Sequence, residues 1–422
     1  MDNIYIVLYG MAWLFLSIKY YRKFGKVTPI VYVFTAYTFF SIMSFLLYND
    51  PEKLYSFREL HLFPFIYLFV MLLIASSPIN KYSSNNILSI QQPPILKLNI
   101  FIWTFIIASL LSLPYITTHL HVIPSLLFNS TMGQDAYRDS IEASQTNQVG
   151  DITNLPAIIT GLYSKIGSFL LFYYLTLKKK NKWVIVGLVY SIFSWMLSYM
   201  ITGERGGVFH TVVSLISAFI LLKDFLPNMI RRRTKKIGII ALILIIIPIA
   251  AITTSRFGED SNSGSNIKSS LYYYMGQSSL YFNNYGLDNN GIRYGDKTCT
   301  YLKILIGFDD VPLDFWAGRK KYPNLIIGDE VFSSFVGDFT IDFGPIIAML
   351  LFIVIYYLFC TNINVINNTI PFHTLMIIFI LLELSVDGGM FLYNYGYSGG
   401  NLKVLFYIIS ILFFKFKYKN NH

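Results

Sequence analysis

The run IGIIALILIIIPIAA, residues 237–251, carries no charge and shows no alternation of polar and apolar residues. Runs of this kind constrain the fold more than any other feature of the chain. A bilayer core takes about 20 apolar residues per helix. Eleven stretches approach that length: 4–20, 28–48, 61–77, 98–118, 155–177, 183–202, 207–226, 237–254, 340–360, 371–392 and 402–414. Lipid offers the backbone no hydrogen bonds, so a spanning segment is a helix or part of a closed barrel. Barrel strands alternate polar and apolar residues, and these runs do not. The expected fold is an all-α integral membrane protein: one transmembrane domain, 1–422, built as a polytopic bundle of about 11 transmembrane helices. The composition agrees, with 13% charged residues against about 25% in soluble domains. The first stretch lacks a basic n-region and a small-residue cleavage site, so it reads as a retained span.

Charge sets the expected orientation. The loops KKKNK (178–182) and RRRTKK (231–236) are strongly basic, which places both on the cytoplasmic side. Two spans lie between them, so the bend at 203–207 faces outside. Propagating that parity puts the N-terminus outside and the tail with Lys415, Lys417 and Lys419 inside. It also puts Lys19, Arg22, Lys23 and Lys26 inside, as the same rule requires. Among the acids, Asp224 alone falls inside, and Glu383 and Asp387 fall within a span. Cys299 and Cys360 fall on opposite sides and cannot pair.

Two outer loops are long, 119–154 and 255–339. The second is too long for a plain connection and is expected to be partly helical and to lie over the bundle at the outer interface. The inner loops are short. No nucleotide-binding fingerprint is present, so neither a primary pump nor a user of cytosolic ATP is visible. No nucleic-acid partner is expected. No Cys/His spacing marks a metal site, and no cofactor is implied.

The segment SYMITGERGGVFH (198–210) sets Glu204 and Arg205 among three glycines between two apolar runs. Glycine lets backbone approach a ligand closely, and the N-terminus of the following helix favours anions. Arginine adds bidentate phosphate recognition. At an outer leaflet the matching ligand is a lipid headgroup or a lipid-linked diphosphate. Arg138, Arg256, Arg293 and Arg319 are further cations that could converge there. Each also reads as an ordinary loop charge.

Three segments together resemble the bacterial oligosaccharide repeat unit polymerases, the Wzy-type O-antigen and capsule polymerases. MITGERGGVF resembles their arginine turn. YYYMGQSSLYFNNYGLDN (272–289) with YGDKTCTYLKIL (294–305) resembles their outer-loop segment. SSFVGDFTIDFGPIIAML (333–350) is similar to their stretch entering the next span. The segments occur in the family's order and cover about 100 residues.

The resemblance implies a metal-independent glycosyltransferase of the bacterial inner (plasma) membrane. It would join undecaprenyl-diphosphate-linked oligosaccharide repeats at the outer face, with membrane lipids, a chain-length regulator and a flippase as partners. Negative charge grows on the departing diphosphate, and placed arginines stabilise it. A carboxylate general base helps the attacking hydroxyl. Arg205, Glu204, Asp338 and Asp342 are the catalytic candidates. Arg256, Arg138, Arg293, Tyr273 and Tyr281 are the substrate-binding ones.

Several readings stay open. Asp338 and Asp342, four apart, share a face if a helix begins there, and Asp338 also suits a helix cap. Glu383 and Asp387 are intramembrane acids or a buried structural pair. His210 reads as a catalytic or a structural histidine, and His119 with His121 offers only weak metal geometry. The tyrosines at 272–285 suit sugar stacking and interface anchoring alike. An O-antigen ligase shares the donor and loop plan. A transporter or flippase would show internal repeats and intramembrane charge, and no clear repeat is seen.

Overall fold

The computed structural model describes residues 1–51, 56–120, 155–201, 205–238, 267–326, 333–389 and 395–415. Helices dominate these residues. Among the described residues, eight segments are long and apolar enough to cross a membrane: Asp2–Phe24 (α1), Pro29–Tyr48 (α2), Leu62–Ser84 (α3), Ile95–His119 (α4, Ile95–Leu111, with α5, Leu113–His119), Leu155–Thr176 (α6), Lys182–Ile201 (α7), Pro345–Asn362 and Tyr397–Phe414. This is the make-up of an all-α membrane protein. The expected span at 207–226 is the shorter helix Arg205–Leu222 (α8). Most of the expected span 237–254 and of the loop 119–154 lies outside the described residues.

The chain forms two compact units, Met1–Gln91 with Leu271–His422, and Gln92–Ser270. In the second unit α4 packs on α6 and α7, and α8 packs on both of these.

The remaining helices follow in order, all in the first unit except the opening turn of the first: Ile267–Tyr281 (α9), Thr300–Ile306 (α10), Phe315–Lys321 (α11), Ser334–Phe343 (α12), Pro345–Asn362 (α13), Phe372–Glu383 (α14) and Tyr397–Phe414 (α15). π-helical turns extend α9 over Phe282–Gly286 and α14 over Leu384–Gly388. The core of α1–α3 forms around Trp13, fully buried, with Tyr9, Phe34, Tyr37 and Phe69 against its ring.

Two ends of this unit are defined by contacts. At one end, Tyr48 donates to Asp2, Asn3 and Asn49 pair through their amides, and Tyr67 donates to the Pro345 carbonyl. At the other, Lys81 donates to the Cys360 carbonyl at 2.7 Å and Phe372 meets the Phe414 ring. A short parallel pair, Ser89–Gln91 (β1) with Thr369–Pro371 (β2), closes this second end, with Ile90 opposite Ile370.

The expected span 340–360 is broken in two. Gly344 adopts φ +75°, a conformation that favours glycine, and Pro345 opens the next helix where its missing N–H costs nothing. Asp338 and Asp342 therefore sit on a separate helix, α12, ahead of the span. That break positions the site described next.

Candidate functional site

The two segments YGDK and GDFTID fold onto each other at the first end of the Met1–Gln91 with Leu271–His422 unit. The loop after the first π turn lies along the C-terminal half of α12. Arg293 N–H donates to the Ile341 carbonyl at 2.9 Å, and Gly295 N–H donates to that of Asp342 at 3.0 Å. A helix leaves its last carbonyls without intrahelical donors, and this loop supplies two.

The side chains then close a buried knot. Arg293 Nε stands 2.6 Å from Asp342 Oδ1, and Arg293 Nη2 donates at 3.1 Å to both Asp338 Oδ1 and the Asp338 carbonyl. Lys297 Nζ donates to Asp338 Oδ1 at 2.7 Å. Thr298 donates its N–H and its hydroxyl to Asp342 Oδ2, each at 2.7 Å. Arg293, Lys297, Asp338 and Asp342 are each at most 3% exposed. Two cations meet two carboxylates, so the knot is formally neutral, as burial of charge requires. Burial nonetheless pushes the Asp342 carboxyl above its ordinary range, against the pull of Arg293 and the Thr298 hydrogen bonds.

A second network is built on Asp296, the residue before Lys297. Asp296, fully buried, accepts from Lys303, from the Tyr322 hydroxyl at 2.6 Å, and from Lys321 at 2.9 Å. Burial alone would raise this carboxyl. The hydrogen bonds from Lys303, Tyr322 and Lys321 outweigh it and hold the carboxyl below the usual range. The same carboxylate adds to burial in raising the Tyr322 phenol.

Contacts to the Lys297 carbonyl tie the knot to α15. Tyr397 N–H donates to the Lys297 carbonyl at 2.7 Å, and Asn401 donates to it at 3.3 Å. The methylene stem of Lys297 lies against Gly396.

The aromatic motif at 272–289 is part of the bundle. Gly276 of α9 lies so close to α2 that a Cβ there would stand 2.5 Å from the Met43 carbonyl oxygen. Small residues permit such backbone approach in membrane helices. Ser44 donates to the Gly276 carbonyl at 2.7 Å and its hydroxyl lies 2.8 Å from that of Ser279. Beside α9 is a small cavity lined by Tyr9, Tyr37, Phe40, Ser41, Ser44, Leu68, Ser278, Ser279 and Gly389. In the first π turn, Asn283 accepts from His61 N–H at 3.0 Å and donates to the His61 carbonyl at 2.7 Å. In the second, the Ser385 carbonyl accepts from Tyr37 at 2.8 Å. Such turns release backbone groups for outside partners.

The structure thus unites Asp338, Asp342 and Arg293, which the sequence had divided between base and substrate ligand. Asp338 does not cap its helix; it lies within α12. Tyr281 is buried with Ile341, beside Tyr273, Phe57 and Tyr285, so these rings meet one another. The backbone of Arg205 begins α8, so Gly206 and Gly207 lie inside its first turn rather than ahead of the helix. Gly207 has a packing reason of its own, because a Cβ there would collide with the Tyr199 ring. Glu204, Arg256 and Arg138 lie outside the described residues, as does the side chain of Arg205. Glu383 and Asp387 are buried in α14 and its π turn.

Sequence reasoning did not single out Lys297, Asp296, Thr298 or Tyr322. The cue was the dense charge of R-x-x-D-K in an aromatic loop, which a membrane-facing segment carries only if the charges find partners. Among the described residues, no group of three or more His, Cys, Asp or Glu is placed to hold a metal ion. Compared with protein families, curated proteins and solved structures, the chain matches none.

Proposed function

We propose that this chain is a membrane glycosyltransferase that joins undecaprenyl-diphosphate-linked oligosaccharide repeats at the outer face of a bacterial plasma membrane. One observation carries the reading. Two motif segments far apart in the sequence lock together through Arg293, Lys297, Asp338 and Asp342, at one end of a bundle of membrane-length helices. The full architecture in this reading is about 11 spans with a large, partly helical outer loop at 255–339. The N-terminus is outside and the basic C-terminal tail is cytoplasmic.

In the reaction, a hydroxyl of the acceptor repeat attacks the anomeric carbon of the donor glycan. The bond from that carbon to the diphosphate oxygen breaks, and the lipid diphosphate leaves with the electron pair. Arg205, at the start of α8, meets the growing negative charge together with Arg256 and Arg138. The helix N-terminus adds its own partial positive charge. Glu204 is the carboxylate given to the acceptor proton, because Asp338 and Asp342 are engaged by Arg293 and Lys297. Those four residues hold the outer segment in shape. The donor is already activated, so no nucleotide is consumed. A chain-length regulator and a flippase would act beside it.

The test is Arg205→Ala and Arg205→Lys in cells, with membrane levels matched and surface glycan length measured on gels. The reading expects single-repeat glycan from the Ala variant. Full-length polymer from both variants would remove Arg205 from the mechanism. Long lipid-linked chains that fail to reach their acceptor would indicate a ligase instead.

A further inference from the structure

Helix α10 is short, and one of its faces is apolar and bare. Leu302, Leu305 and Ile306, spaced three and four apart, fall on one side. They are 56%, 84% and 66% exposed, while Thr300 at the start of the helix is fully buried. Gly307 turns the chain, and Phe308 follows at 55% exposed. A surface facing water rarely gathers large apolar side chains in this way.

The depth of this face is fixed by contacts to a membrane-length helix. Tyr301 N–H donates to Asn401 Oδ1 at 3.3 Å, and Ser398 donates its N–H and its hydroxyl to the Leu313 carbonyl at 3.0 and 2.8 Å. Ser398 and Asn401 lie in the opening turns of α15, and Asn401 is only about 6 Å along its axis at 1.5 Å per residue. The apolar face is therefore level with the first turns of α15.

The charges nearby fit phosphate. Arg319 and Lys320 at the end of α11 are exposed, with Arg319 over the Phe315 ring. In the same segment Asp310 is bridged to Lys321 and Asp314 caps α11.

We propose that Leu302, Leu305, Ile306 and Phe308 form an interfacial wedge that enters the headgroup layer beside α15, with Arg319 and Lys320 on the lipid phosphates. Amphipathic segments bind membranes in this manner, through apolar area and attraction to anionic lipid. The wedge pins the segment that carries the Arg293 knot to the bilayer surface. The inference rests on the membrane character of α15 and is independent of the glycan chemistry.

The test uses the full chain in lipid nanodiscs. In a background with Cys299→Ser and Cys360→Ser, a fluorescent thiol probe is placed by Leu305→Cys, by Phe308→Cys, or by Asn324→Cys as an exposed reference. The expected result is quenching of the first two by spin-labelled lipid, with iodide quenching several-fold weaker than at the reference. Phosphatidylglycerol should strengthen the lipid quenching relative to phosphatidylcholine, and Arg319→Gln with Lys320→Gln should remove that difference. Iodide quenching equal to the reference would overturn the wedge. Protection from iodide without quenching by lipid would also overturn it, since a second copy or another protein would then cover the face. A lipid preference unchanged in the double Gln variant would overturn the phosphate contact.

Discussion

Arg293 Nε lies 2.6 Å from Asp342 Oδ1, with both side chains closed off from solvent and no segment of regular structure shared between them. The loop that carries Arg293 and the helix that carries Asp342 are held in register by this pair and by two backbone hydrogen bonds beside it.

Removing the cation leaves two carboxylates buried. Arg293→Met should destabilise the chain by about 3–5 kcal/mol, the cost of breaking a buried pair by one partner. Adding Asp342→Leu to that variant should recover part of the loss, because the carboxylate left without its cation is gone, and the unmatched Thr298 N–H and hydroxyl keep the recovery incomplete. Thermal unfolding in detergent checks both. An Arg293→Met protein as stable as the parent would show that the pair carries no structural load.

Acid should act on the two buried carboxylates in opposite senses. Hydrogen bonds hold Asp296 low, so its stabilisation is present above the unfolded value of 3.8 and is lost as pH falls from there through the depressed folded value. Burial holds Asp342 high, so its contribution is unfavourable above the raised folded value and improves as pH falls through it. Asp296→Asn should abolish the loss at the acid end, and Asp342→Asn should abolish the gain. Tm against pH for the two variants measures each separately.

The α2–α9 contact tolerates no side chain at Gly276. Gly276→Ala puts a methyl against the Met43 carbonyl, which belongs to the backbone and cannot rotate away. Overpacking of this kind costs typically about 1–3 kcal/mol. The expected outcome is a lower Tm with the Ser44 to Gly276 hydrogen bond lost, seen as faster hydrogen exchange in α9.

The paired asparagines act as a clip on the chain entering α3. Asn283 and Asn284 bond the backbone of His61 and Arg58. Asn283→Leu removes the amide partner of the His61 N–H and carbonyl, two hydrogen bonds worth about 0.5–1.5 kcal/mol each. Hydrogen exchange at 58–61 should rise more than elsewhere in the unit.

Eight of the expected spans were legible because a bilayer-length apolar run has few other uses; the run at 371–392 is instead the 12-residue helix α14 with its π turn. The Gly344–Pro345 break was hidden, since the apolar run continues through it and hydropathy does not register one positive φ. The spacing of Asp338 and Asp342 announced a shared helix face. Their partner did not announce itself, because an arginine that will meet a carboxylate looks the same in sequence as one that will meet a phosphate. Gly207 shows the same ambiguity, since close approach to a Tyr199 ring and close approach to a ligand both demand glycine. The strands at Ser89–Gln91 and Thr369–Pro371 are too short to leave a periodic signal, and their pairing is fixed by the helices they extend.

The most direct measurement reconstitutes the full chain in liposomes with undecaprenyl-diphosphate-linked repeats supplied in the leaflet its outer face contacts. The account expects a ladder of joined repeats and release of undecaprenyl diphosphate, both lost in Arg205→Ala while its unfolding profile stays that of the parent. Repeats that remain single beside a folded parent chain, or that only cross the bilayer, would contradict it.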